Sequence, residues 1–334
     1  MATLALCATT GDQCADTLLQ GAIGVVEACF PERIRGYYLI GSYANGSAVA
    51  SSDLDVVVVF KHAFVGDEQA RCWRLSHHCS LLSPMRIDLA PRCEDELFER
   101  GSVSLKLASQ LVYGQDIRTA VGLEPLEEYL LQVLSGFLFY TALLRGEPER
   151  LVFPLDYPDP HAPFYGYERW GLLLANRFDI GLRTLVNSTT LAATFLVGVR
   201  AGRHVGTKRD AVEVYKHTVA GAWTNLLEDV YHLCKQRWGY RVPDTPAEQA
   251  ELRRLCQRIL GFENDVLEQC REYILGVLAD GKDHQKIMVA QSLQKIIFVD
   301  AEVAAALERL TRQDQAVVRQ AALEALVLIP ETNG

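Results

Sequence analysis

The spacing of apolar residues divides the chain into a mixed N-terminal part and a helical remainder. The run of four valines in Leu54–Phe60 is typical of a strand that is buried on both faces. This α/β region is expected to end near Gly114–Arg118. Its predicted elements are a helix over 12–29, a strand at Gly36–Ile40, a strand at Leu54–Phe60, a polar helix at about 67–82 and a strand at Met85–Leu89.

Beyond that region the apolar positions follow the period of helices. Residues 148–163 contain five of the twelve prolines, and because proline fixes φ and lacks an N–H donor, they are predicted to form an irregular connector. The last fifty residues favour short helices, and Asp314–Leu326 resembles the second helix of a HEAT repeat. The other predicted helices span Leu126–Leu144 and about 167–200, 207–238 and 247–279.

These patterns predict an α+β protein with more than one domain. The predicted domains are an N-terminal α/β domain over 1–120, an all-α helical bundle over 121–282, and HEAT-like terminal helices over 283–334. A length of 334 residues also exceeds what one hydrophobic core usually serves.

The charge balance disfavours a nucleic-acid partner. The formal net charge is −9, and the acidic excess is spread along the chain. A broad basic surface for duplex nucleic acid is therefore not expected, whereas acidic clefts suit cationic substrates or metal ions.

The remaining composition favours a cytoplasmic protein with no membrane contact. The nine cysteines are odd in number and include no CxxC pair, which favours reduced thiols. No apolar run reaches the roughly 18 residues that a membrane span needs. The N-terminal residues also lack the pattern of a secretory signal.

The segment 38–60 carries the most informative motif. Gly41-Ser42 ends one predicted strand, and ten residues later Asp53-x-Asp55 opens the next. Because side chains alternate along a strand, the two aspartates lie on the same side and repel each other unless a cation lies between them. Such hard oxygen ligands suit Mg²⁺, which also takes phosphate oxygens.

Gly41 and Ser42 are suited to a phosphate group. A glycine lets the backbone approach a phosphate closely, and a serine can donate both its hydroxyl and its N–H. Together with the aspartates, these residues predict a site for Mg²⁺ and a nucleoside triphosphate. Its expected chemistry is attack on the α-phosphorus with pyrophosphate as the leaving group.

The spacing of Gly41-Ser42 and Asp53-x-Asp55 resembles the signature of the DNA polymerase β-like nucleotidyltransferase superfamily. The resemblance implies a nucleotidyltransferase domain with a mixed sheet, in which a following strand supplies a third carboxylate. Asp88 is similar in position and context. The resemblance implies that Asp53 and Asp55 bind both metal ions, while Asp88 completes the catalytic-metal site and helps to deprotonate the acceptor hydroxyl.

Other residues are candidates for supporting roles. Glu94 and Glu96 are alternative general bases, although a solvated helix start accounts for them as well. Ser52, directly before the aspartates, joins Gly41 and Ser42 in the predicted nucleotide-binding set.

A second segment narrows the resemblance to streptomycin/spectinomycin adenylyltransferases. It consists of Arg183–Ser188, an apolar helix, and Ala201–Val212. The resemblance implies that Lys208, at the start of a helix, faces the nucleotide phosphates. A Lys-Arg pair at a helix start is equally compatible with surface charge.

The leading hypothesis is an Mg²⁺-dependent enzyme that transfers a nucleoside monophosphate, with AMP from ATP as the first choice, to a hydroxyl of a small molecule. The resemblance implies an aminoglycoside-like acceptor and a role in antibiotic resistance, and the acidic balance suits a cationic molecule. One alternative is a protein or tRNA acceptor, as in nucleotidyltransferase toxins and antitoxins, with the C-terminal helices as a surface for a protein partner. Another is a non-catalytic nucleotide-sensing scaffold.

Overall fold

The computed structural model describes residues 4–83, 85–146, 150–171, 178–295 and 297–328. The chain forms two compact units. The first consists of Met1–Pro125 and Val205–Asp210, and the second of Leu126–His204 and Ala211–Gly334. The predicted division at residues 120 and 282 stays a prediction.

The first unit is built around a four-stranded mixed sheet. The strands follow one another across the sheet in the order β3 (Ile87–Cys93), β2 (Leu54–Phe60), β1 (Ile34–Ile40) and β4 (Gln110–Gly114). Strands β2 and β3 are parallel, and the other pairs are antiparallel. This arrangement confirms the predicted mixed α/β architecture. The elements are α1 (Gln13–Cys29), β1 (Ile34–Ile40), α2 (Gly41–Ala44), β2 (Leu54–Phe60), α3 (Glu68–Leu82), β3 (Ile87–Cys93), α4 (Glu94–Arg100), α5 (Val103–Ala108) and β4 (Gln110–Gly114).

Strand β2 is buried on both faces, as its valines predict. Val56 and Val58 belong to the larger core, which also includes apolar side chains of α1. Val57 and Val59 belong to a second cluster with Tyr38. Full burial of one such side chain stabilises the fold by about 1.5–3 kcal/mol, so this strand is firmly anchored.

Strand β3 differs from its predicted bounds. It begins at Ile87 and continues through Pro91 to Cys93, whereas the prediction ends it at Leu89. Proline lacks an N–H donor and is normally confined to edge strands or bulges. Because β3 lies at the edge of the sheet, Pro91 is accommodated there.

The second unit is mainly helical. The first three residues of its helix α8 (Lys208–Thr218) are counted with the first unit. The elements from residue 126 onward are α6 (Leu126–Leu144), β5 (Arg150–Val152), β6 (Arg169–Gly171), β7 (Phe178–Ile180), α7 (Arg183–Ala201), α8 (Lys208–Thr218), α9 (Thr224–Asp229), a π-helix (Val230–Arg237), α10 (Pro246–Asp280), α11 (Asp283–Lys295), β8 (Ile297–Val299), α12 (Ala301–Leu310) and α13 (Ala316–Leu328).

The expectation of helices alone needs a correction in this unit. The predicted helix over 167–200 begins only at Arg183, because β6 and β7 form an antiparallel ladder before it. Residues 172–177 of that prediction lie outside the described residues. Strand β5 pairs in parallel with β8, which adds a second short ladder. The predicted helix over 207–238 is interrupted after Thr218, where Ala220 has a φ of 45°.

Two helices and the connector of this half match their predictions. The α6 and α10 helices match their predicted ranges closely. Apart from β5, the described part of the proline-rich connector is irregular, while residues 147–149 lie outside the described residues. Within the described residues, no helix is both long and apolar enough to cross a bilayer. All nine cysteines are free thiols.

A buried ion pair lies within the second unit. The Nη2 group of Arg145 donates to Oε2 of Glu263 at 2.8 Å, and the Tyr167 hydroxyl donates to the same oxygen at 2.7 Å. The Glu263 side chain is only 1% exposed. A buried charge without its partner is strongly destabilising, so these residues depend on one another.

We expect Glu263→Gln to lower the free energy of unfolding of the second unit by about 3 kcal/mol, because the buried Arg145 charge loses its counter-charge. Glu268→Gln, on the same helix, is the matched control. It removes a carboxylate that is 47% exposed and pairs with Arg271, so its expected cost is below about 1 kcal/mol. Urea denaturation measures both variants, and equal losses would contradict this assignment.

Candidate active site

The loop between β1 and β2 depends on glycine at position 41. Ile40, the last residue of β1, pairs with Asp55 of β2. Gly41 then adopts a φ of 70°, and a Cβ atom there would lie 2.7 Å from Oδ2 of Asp55. Glycine is therefore required both for the left-handed backbone and for the space that the carboxylate occupies.

The rest of this loop is fixed by local hydrogen bonds. The Ser47 N–H donates to the carbonyl of Ser42 at 2.9 Å. Ser52 is only 4% exposed, and its Oγ accepts the N–H of Val49 at 2.9 Å. This hydrogen bond means that the Ser52 side chain stabilises the loop. Its predicted contact with the nucleotide stays a prediction.

The pairing of β2 with β3 brings the three predicted aspartates together. Asp55 is paired with Asp88 across the parallel ladder, and Asp53 lies just before β2. Carboxylate oxygens of all three lie within 4.8 Å of one another, and the three residues are partly exposed. Converging carboxylates repel, so this cluster favours a bound cation.

The donor set fits a hard divalent ion. The three residues offer carboxylate oxygens, the ligands that Mg²⁺ and Ca²⁺ take, and no thiolate or imidazole joins them in the cluster of described residues. Their partial exposure also leaves room for water or phosphate oxygens to complete the coordination.

Arg86 is a residue of this site that the sequence analysis missed. Its Nη2 lies 2.8 Å from Oδ2 of Asp88, with both side chains about one-third exposed. The only signal in the sequence is its i, i+2 spacing from Asp88, which places both residues on one side of a strand. That spacing is too common to identify such a pair.

Glu94, an alternative base, has a structural role instead. Arg35 donates from Nε at 2.7 Å and from Nη2 at 3.1 Å to its two carboxylate oxygens, and the His62 N–H donates at 2.9 Å. Hydrogen bonding from Arg35 holds the pKa of Glu94 below its usual value. Glu96 lies exposed on α4.

Glu94 also belongs to a second cluster, with His62 and Asp95, whose ligand atoms lie within 4.8 Å of one another. The Arg35 guanidinium already occupies both oxygens of Glu94. In this cluster, an arginine within the fold therefore already holds both oxygens of one carboxylate.

The segment that contains Lys208 is counted with the first unit. A Cβ atom at Gly206 would lie 2.9 Å from the Cβ of Ala108, so this segment packs closely against the end of α5. Arg209 donates from Nη1 to the carbonyl of Asn45 at 3.4 Å, in the loop that begins with Gly41. Lys208 itself is partly exposed.

Comparison with known proteins identifies the domain that holds this cluster. Residues 25–108 match the family model of the nucleotidyltransferase domain. This match confirms the resemblance that the Gly-Ser and aspartate motif indicates, and it supports an enzyme of this class. No curated protein matches the sequence.

Among solved structures, the chain is similar to the spectinomycin adenyltransferase AAD(9) from Enterococcus faecialis, crystallised with ATP and spectinomycin. The identity is 12%, the TM-score is 0.44, and the match covers 76% of this chain and 99% of that one. Because both the identity and the score are low, the roles of individual residues depend on the geometry of the site.

Glu94→Gln should lower the free energy of unfolding by about 1–3 kcal/mol at neutral pH, because the paired Arg35 loses its ionic partner. The pKa of Glu94 is lower in the folded state, so this contribution is present above its ordinary pKa of 4.5 and is lost as the pH falls through the folded value. Denaturation of the wild type and the variant at pH 7 and at pH 3 measures the difference. A difference that persists unchanged at pH 3 would contradict the prediction.

Gly41→Ala should displace the Asp55 carboxylate and weaken divalent-cation binding. Gly46→Ala is the matched control, because Gly46 also has a positive φ, of 68°, but has no neighbour within 4 Å of a built Cβ. Both variants should lose about 1 kcal/mol of stability from the strained backbone. Titration with Mn²⁺ separates them, and equal affinities for the two variants would show that the contact with Asp55 is unimportant.

Proposed function

We propose that the chain transfers a nucleoside monophosphate from a nucleoside triphosphate to a hydroxyl group, using Mg²⁺ held by Asp53, Asp55 and Asp88. The observation that carries the proposal is the convergence of three carboxylates within 4.8 Å, inside a nucleotidyltransferase domain. Three converging carboxylates repel one another, and a bound cation relieves that repulsion.

The positions of the three aspartates give them different proposed roles. Asp53 and Asp55 flank the first residue of β2 and hold the metal ions from one strand, while Asp88 adds its carboxylate from the neighbouring strand. When bound, Mg²⁺ supplies charge neutralisation of the triphosphate and a template for in-line displacement. Asp88 is also the group proposed to accept the proton of the acceptor hydroxyl.

The phosphates are proposed to bind at the loop after β1. Gly41 presents backbone without a side chain, and Ser42 adds a hydroxyl and an N–H. Lys208 is proposed to neutralise phosphate charge. The contact of its neighbour Arg209 with Asn45 supports this role, because it holds the start of α8 against the same loop.

The acceptor is proposed to be a small molecule with a hydroxyl group, cationic and aminoglycoside-like, and the nucleotide to be ATP. The net charge of −9 supports a cationic acceptor. The resemblance of segment 183–212 to aminoglycoside adenylyltransferases supports AMP as the transferred group.

A protein acceptor is the second candidate. Two apolar side chains on α13, Val317 and Val327, are 66% and 84% exposed. The two residues lie ten positions apart, about 15 Å along the helix. An exposed apolar surface is a common feature of protein-binding sites. This helix is where such an acceptor would be recognised.

The proposal is tested by incubating the full chain with Mg²⁺ and α-labelled ATP, CTP, GTP or UTP, together with aminoglycosides, tRNA or protein. We expect label in a small-molecule product with ATP, and a loss of about 100-fold or more in rate for Asp53→Asn or Asp55→Asn. Labelled protein or tRNA would favour the second class of acceptor. Full activity in either asparagine variant would show that the aspartates are not the metal site.

A further inference from the structure

Arg86 contacts the aspartate cluster directly, yet the proposed transfer does not use it. Its Nη2 lies 2.8 Å from Oδ2 of Asp88. The guanidinium is 36% exposed and the carboxylate 35%, so solvent and a bound ion can reach both groups. The positively charged guanidinium of Arg86 therefore already contacts the carboxylate that the metal ion is proposed to bind.

The strand pairing fixes Arg86 in this place. The N–H of Leu54 donates to the Arg86 carbonyl at 2.9 Å, and Leu54 is paired with Ile87. Arg86 therefore directly precedes β3, level with Asp53 on the neighbouring chain segment. Because side chains alternate, Arg86 and Asp88 point to the same side as the rest of the cluster.

Among the described residues, the ion-pair partner of the guanidinium is Asp88. Its Nε is buried and has no hydrogen-bond partner among the described residues. The contrast with Arg35 is informative, since that guanidinium holds both oxygens of the buried Glu94 and a further oxygen of Gln115. Arg35 is a fixed structural cation, whereas Arg86 is held mainly by the site itself.

We propose that Arg86 is a resident counter-charge of the aspartate cluster and that it competes with the divalent cation for Asp88. This inference rests on the proposed function, because it assumes that the cluster binds such a cation. Before the cation binds, the guanidinium offsets the repulsion among three carboxylates. A cation that binds at Asp88 then meets a positive charge at the same carboxylate, so Arg86 raises the concentration of cation that the site requires.

A purely orienting role for Arg86 would have the opposite effect, since removing an orienting partner weakens metal binding. The ladder between β3 and β2 fixes the backbone of Asp88 independently of Arg86, so the main expected effect of the guanidinium is its positive charge. We therefore expect competition to outweigh orientation, and Arg86 then sets metal occupancy by acting through Asp88.

The test is a titration of the full chain with Mn²⁺ in the absence of nucleotide, with binding monitored by electron paramagnetic resonance. We expect Arg86→Ala to bind Mn²⁺ about three- to tenfold more tightly than the wild type, the range expected for removing one exposed charge near a divalent ion. Arg86→Lys, which keeps the charge, should bind like the wild type. In an Asp88→Asn background, Arg86→Ala should change the affinity little.

Arg92→Ala is the matched control. Arg92 is an exposed residue of β3, and it lies about 20 Å along the chain from Arg86 at 3.3 Å per residue. Its removal subtracts the same charge from the protein and should leave Mn²⁺ affinity unchanged. If Arg86→Ala does not fold, Arg86→Gln serves in its place, because it removes the charge and keeps much of the side-chain stem.

Unchanged or weaker Mn²⁺ binding by Arg86→Ala would overturn the inference. That failure would leave the proposed function intact, provided that the wild type binds Mn²⁺ and that Asp53→Asn abolishes this binding. If neither the wild type nor Arg86→Ala binds Mn²⁺, both the metal site and the inference are wrong. The inference would be supported if Arg86→Ala binds Mn²⁺ more tightly than the wild type and this gain in affinity disappears in the Asp88→Asn background.

Discussion

The parallel pairing of β2 with β3 is the constraint on which the site depends. It places Asp55 directly beside Asp88, although two like charges at that distance repel. Burial of Val56 and Val58 in the larger core, and of Val57 and Val59 in the second cluster, anchors β2 in the sheet. The free energy of packing in the core thus keeps the carboxylates together, and Arg86 reduces their repulsion from within the site.

Much of the site could be predicted because its signals are local. The valines of β2 predict a buried strand, and alternation along that strand puts Asp53 and Asp55 on one side. Which side chain pairs with a given charged residue, however, depends on contacts between distant parts of the chain. Glu94 looks like a free carboxylate in the sequence, whereas its partner Arg35 is 59 residues away. For the same reason, nothing local distinguishes Arg86 from an ordinary solvated arginine.

The helical half shows the same division between local and long-range signals. The α6 and α10 helices have strong apolar periodicity and match their predictions. The segment before α7 is predicted as helix, yet β6 and β7 pair with each other there. The pairing of β5 with β8 joins residues about 150 positions apart in the chain, which no short window of sequence can indicate. Short strands of three residues carry too few alternating positions to be recognised.

Nucleotidyl transfer by this cluster is tested most directly by following the phosphates of the nucleotide. The measurement compares ATP labelled at the α-phosphorus with ATP labelled at the γ-phosphorus, in the presence of Mg²⁺ and an accepted hydroxyl compound. We expect α-label to appear in the acceptor while γ-label leaves in pyrophosphate. Transfer of γ-label to the acceptor, or release of γ-label as inorganic phosphate with no α-labelled product, would contradict it.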